Sequence, residues 1–207
     1  MSHQLRSELL KLRNYADVAL LLLTAAAMSL FGVSVEAMSR DLDTLAAEET
    51  QRELFSSGVT IGVFFATLSG LLAVTSEFRY GTIRPTLIVE PRRRVVVAAK
   101  LAAAALAGSA FAVICVVLTF GAGIAVFAVR DVDVALTGAH TLLLVAGPIV
   151  ASIVSAVIGV AVGTLIRNQV GAIVALAAYA LLVDAVLIAW SLAFLAAATV
   201  RNDRSDV

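Results

Sequence analysis

Apolar residues in this chain come in long runs, separated by short charged segments. The runs cover 16–35, 54–75, most of 95–129, most of 134–166, and 169–200. About 20 predominantly apolar residues cross the roughly 30 Å hydrocarbon core of a bilayer. Each of the first four runs therefore predicts a transmembrane helix, with tilt or protrusion expected for the third and fourth. The last run is ambiguous. As one helix it would be about 48 Å long at 1.5 Å per residue, too long for one upright crossing. As two, it leaves only about 15 residues on either side of Asp184. The basic residues Arg201 and Arg204 after it favour a tail on the inner side, and hence two short segments. The expected fold is an all-α polytopic membrane protein of about six transmembrane segments, with five as the alternative.

Ahead of the first run, Leu5, Leu9 and Leu12 share one helical face, with Arg6, Lys11 and Arg13 on others. Residues 3–13 read as an amphipathic helix lying in the membrane interface; the plainer alternative is a charged flank. No small-x-small cleavage pattern follows a short apolar core, so a retained span is expected in place of a signal peptide. Two small-xxx-small pairs, Gly58 with Gly62 and Gly159 with Gly163, are candidate close-packing sites. Pro148 is expected to kink or loosen the fourth span.

Composition agrees with lipid as the solvent. The 207 residues are 61% hydrophobic and 14% charged, with a mean hydropathy of +1.00; soluble domains are about half apolar and about a quarter charged. A net charge of zero gives no indication of a nucleic-acid partner. The placement of charge says more. Residues 36–54 hold six carboxylates against Arg40 and Arg52, whereas 76–100 hold Arg79, Arg84, Arg92, Arg93, Arg94 and Lys100. Cytoplasmic loops carry the Lys and Arg excess, which places 36–54 outside and both the 76–94 loop and the N-terminus in the cytoplasm. Lys100 is expected near the inner boundary with a snorkelling amine, and His140 in a structural role near the outer one.

Signatures of bond chemistry are missing. The chain has no P-loop, no His-Glu-x-x-His and no Gly-x-Ser-x-Gly. Two isolated histidines and Cys115 supply neither a metal cluster nor a disulfide. Asp184 alone makes no carboxylate dyad. Catalysis, metal binding and a cofactor of its own are not expected.

The stretch Ser76 to Lys100 has its own punctuation. Gly81 should interrupt a helix begun near Ser76. Thr82 can cap a new one, Pro85 fits its first turn, and Pro91 ends it. The result is a break followed by a short helix between two spans, a shape suited to docking.

The order of acid, aromatic, Arg, any residue, Gly-Thr, short helix, Pro, basic residues and Lys is met by Glu77, Phe78, Arg79, Gly81, Thr82, Pro91, Arg92 and Lys100. In this the chain resembles the permease subunits of type-2 ATP-binding-cassette exporters of bacteria. The 3–13 segment resembles the elbow helix of that family, and RNQVGAIVAL the start of its fifth span. The resemblance implies a single permease domain over 1–207, with a cytoplasmic coupling helix between spans two and three, in the bacterial plasma membrane. It implies an ATPase-coupling loop at 76–94 carried by Glu77, Phe78, Arg79, Gly81, Thr82, Arg84 and Pro85. It also implies a separate cassette ATPase that binds ATP, a second permease chain (the same or different), surrounding lipid, and a drug, antibiotic or lipid as cargo. The chain departs from the family where LLVDAVLIAW joins the last two segments almost directly, in place of a sizeable external loop. A secondary carrier or channel, and a membrane scaffold without transport, remain the alternatives.

The segment count has a direct test. In a Cys115→Ala background, a cysteine at Ser205 is expected to react with a membrane-impermeant maleimide in inside-out vesicles and not in intact cells. Reaction only from outside would remove the sixth segment.

Overall fold

The computed structural model describes residues 7, 16–82, 92–136, 138–166 and 168–182. They form helices α1 (Ala16–Ser39), α2 (Leu42–Leu45), α3 (Glu48–Arg79), α4 (Arg93–Arg130) and α5 (Gly138–Leu165), followed by a shorter apolar helix, α6 (Gln169–Leu182). No strand occurs among the described residues. Four helices are long and apolar enough to cross a membrane, over Val18–Ser39, Glu48–Arg79, Arg94–Arg130 and His140–Leu165. The chain is thus an all-α, polytopic membrane protein. The interfacial helix expected at 3–13 lies outside the described residues except for Ser7, which is helical. Asp184, and with it the choice between five and six segments, lies outside them too.

Helices α1 and α3 extend beyond the apolar runs that predicted them, whereas α5 stays within its run. At 1.5 Å per residue the 32- and 37-residue segments of α3 and α4 reach about 48 and 56 Å, well beyond a core of about 30 Å. In α3 the excess is charged. Glu48 and Glu49 occupy its first turn and Arg79 its last, where each sign suits the helix dipole. Polarity therefore does not end the helix at the edge of the apolar run.

The chain divides into two compact units, Met1–Gln169 and Val170–Val207. In the first, α3 packs against α1, α4 and α5, most extensively against α5. It is the most buried of the four candidate spans. Phe65, Phe111, Cys115 and Val160 form one part of the core; Val33, Leu54, Phe55 and Phe127 form another. Phe55 stacks on Phe120 with centroids 4.4 Å apart and meets Phe127 edge-on at 5.8 Å. Leu23 and Phe31 of α1, Val117 of α4 and Leu143 of α5 point outward and are more than half exposed, as lipid-facing residues of a membrane helix should be.

Both predicted small-residue pairs lie at helix contacts. A methyl group on Gly58 would meet Val33 of α1 and Thr119 of α4, and one on Gly62 would lie 3.0 Å from the Cys115 Cβ. On α5, Gly159 faces the Thr67 carbonyl of α3 and Gly163 lies against Leu71. Gly70 returns the contact from α3, against the backbone of Ala156. Pro148 lies within the continuous helix α5.

At the end of the bundle where α3 begins, polar groups brace the helices. Gln51 is fully buried. Its Nε2 donates to the carbonyls of Leu45 and Asp133 at 3.1 and 2.9 Å, and its Oε1 accepts from the Ala135 amide at 2.9 Å. Arg130 Nη1 donates to the carbonyls of Ala37 and Arg40 at 2.8 and 2.6 Å, at the end of α1. Asp131 turns the chain at φ 55°. His140 Nδ1 lies 2.6 Å from Glu48 Oε1, joining the starts of α5 and α3.

Gly159→Val should drive a side chain into the α3 backbone and destabilise the fold by about 1–3 kcal/mol. Gly121, whose surroundings are open, should accept alanine with stability unchanged or slightly raised. Thermal unfolding of the detergent-purified variants measures both.

Candidate functional site

The residues singled out by sequence gather at the opposite end of α3. Glu77, Phe78 and Arg79 are not loop residues; they form the last turn of the helix. Gly81 and Thr82 form the turn that stops it, while Arg84, Pro85 and the short coupling helix lie outside the described residues. The stop has a specific geometry. The Thr82 amide donates to the Glu77 carbonyl at 3.0 Å and the Gly81 amide to that of Phe78 at 3.4 Å, which is the paired closure of a Schellman motif. Gly81 sits at φ +68° with open space around it. Glycine is required there by the backbone angle, not by crowding, since a Cβ in the left-handed region costs roughly 1–2 kcal/mol.

Inside this turn lies a buried ion pair. Glu77 is 1% exposed, and its Oε1 lies 2.6 Å from Nζ of Lys100, whose side chain is 10% exposed. Lys100 stands about 10 Å along α4 from the first residue, Arg93. The last turn of α3 and the early part of α4 are thereby tied together. Sequence placed the Lys100 amine in water by snorkelling. Instead it stays inside, because a carboxylate is held within reach. Removing both charges from water is costly, and the pair is tolerated because each ion neutralises the other.

Arg79 takes a different direction. Its Nη1 donates to Oε1 of Gln169, the first residue of α6, at 3.0 Å. Its guanidinium carbon lies 5.6 Å from the centroid of the Tyr80 ring. Phe78, between the two charged residues, packs on the core beneath. Arg92 precedes α4, and its carbonyl accepts from the Val95 amide at 2.9 Å. Sequence reasoning assigned no role to Gln169 and missed the pairing of Lys100 with Glu77. The available signal for the pair was two opposite charges, each set against an apolar run.

This arrangement positions and holds; it presents no nucleophile beside a base. The comparison with known families decides what it belongs to. The family model described as ABC-2 family transporter protein matches residues 4–199. The chain belongs to the ABC-2 transporter family. No curated protein and no solved structure is significantly similar to it. As an ABC-2 protein it is the membrane component, or permease, of an ABC transporter, and the family implies association with an ABC ATPase subunit.

The buried pair of this ABC-2 permease has an unequal response to substitution. Glu77→Met alone leaves the Lys100 amine without its counter-charge and should cost about 3–5 kcal/mol; Glu77→Met with Lys100→Met should recover most of that loss. Unfolding of the two single variants and the double variant in detergent closes the cycle. Additive losses would show that the two residues are not coupled.

Proposed function

We propose that this permease is the pathway-forming subunit of an ATP-driven exporter, with its cassette ATPase docked on the segment between α3 and α4. The observation that carries the reading is the turn at 77–82, where a Schellman closure and a buried ion pair fix how the chain leaves α3 and enters α4. A segment held in this way transmits an applied displacement into two spans instead of absorbing it. Glu77 is too buried to meet a docked protein, so it serves by fixing the segment; Arg79 and Thr82 are exposed. The remaining expected coupling residues, Arg84 and Pro85, belong to the docking segment itself. ATP is bound by the partner, and this chain contributes no cofactor site.

The basic residues Arg92, Arg93 and Arg94 support a cytoplasmic position for this end, and the carboxylates of 36–54 support an external one for the Gln51 end. The N-terminus is then cytoplasmic, in a bacterial plasma membrane. A second permease chain, identical or different, would complete the pathway. Cargo is hydrophobic or amphipathic, since no Asp, Glu, Lys or Arg lies in 54–75, 101–129 or 141–165. The same lack of charge at depth counts against a secondary carrier, which needs fixed polar groups along its path.

A cassette ATPase should co-purify with the full chain. Gly81→Val, which strains the turn without filling occupied space, should reduce its recovery about tenfold, the equivalent of 1.4 kcal/mol; Gly121→Ala should not. Failure to recover an ATPase, or transport by the chain alone in vesicles without ATP, would overturn the reading.

A further inference from the structure

The last turn of α3 reaches two helices by contacts of different kinds. Glu77 holds Lys100 of α4 through a pair shielded from water. Arg79 holds Gln169 of α6 through a hydrogen bond exposed at the surface. A buried ion pair, once broken, leaves charge in a dry interior, so separating it is costly. An exposed charge-assisted hydrogen bond exchanges readily with water and can be broken and remade. The connection into α6 is also short. Only residues 166–168 separate the end of α5 at Leu165 from Gln169, so the first turn of α6 has little slack of its own.

We propose that Gln169 is a positioning residue that passes displacement of the 77–82 turn to α6, while the Glu77–Lys100 pair keeps α3 and α4 moving together. This rests on the ATPase-driven reading above. The division of labour follows from the two side chains. Glu77 points inward and fixes one helix to its neighbour. Arg79, two residues on, points outward and makes a contact that reports where the turn stands. Gln169 meets Arg79 through its acceptor oxygen, so its role requires that oxygen and no charge of its own.

The test uses the full chain in complex with its co-purified cassette ATPase, in lipid nanodiscs and in a Cys115→Ala background. An environment-sensitive bimane label is attached to Tyr179→Cys on α6 or to Val117→Cys on α4, positions 66% and 63% exposed. ATP with orthovanadate should shift emission at both positions. Gln169→Ala should reduce the shift at 179 about fivefold or more, the lower range of coupling between sites, while the shift at 117 persists. Gln169→Glu keeps an acceptor for Arg79 and should restore the response. A full response at 179 in Gln169→Ala, or no rescue by Gln169→Glu, overturns the role of Gln169 and leaves the ATPase-driven reading standing. No shift at either position with wild-type Gln169 overturns that reading, and this inference with it.

Discussion

Close backbone approach between α3 and α5 is the constraint on which this bundle depends. Lipid removes the hydrophobic incentive that joins helices in water, so association rests on packing at short range and on interhelical polar contacts. Gly70 of α3 and Gly159 of α5 each lie against a backbone carbonyl of the other helix. Any side chain at either position would hold the helices apart. With α5 seated on one face, α3 still meets α1 and α4 through Gly58, Gly62 and Phe55. One helix thus organises the unit and carries the polar contacts of both ends, Gln51 at its start and Glu77 at its finish.

The two ends solve different problems. The Gln51 amide and the Arg130 guanidinium satisfy backbone carbonyls at helix ends (Leu45, Ala37) and just beyond them (Arg40, Asp133). Those contacts gather four helices and an irregular segment. Around Glu77 a buried ion pair ties α3 to α4, and an exposed hydrogen bond from Arg79 reaches Gln169. The Gln51 end is thus held by several contacts to backbone groups, and the Glu77 end by one shielded contact and one at the surface.

The four long spans were legible because lipid demands long apolar runs, and those runs are plain in the sequence. The glycine pairs were legible as spacings. Their partners were not, because a spacing names one helix and leaves the other open. Helix ends were misplaced inward at α3, since apolarity marks the membrane and not the hydrogen bonding that carries the helix on to Arg79. Within the Glu-Phe-Arg-x-Gly-Thr order, the φ of Gly81 gives its glycine a physical reason. The inward position of Glu77 was not legible: its partner lies across a loop, and nothing in local periodicity relates residue 77 to residue 100. Gln51 was missed for the same reason, standing among carboxylates that read only as an external segment.

Gln51 grips the segment after α4 through main-chain groups only, the carbonyl of Asp133 and the amide of Ala135. The brace is therefore indifferent to which side chains that segment carries, provided its backbone path is kept. Asp133, Val134 and Ala135, all exposed, can diversify over evolution and change the surface shown there, while Val132 and Leu136 stay packed on the core and the helices behind them keep their arrangement.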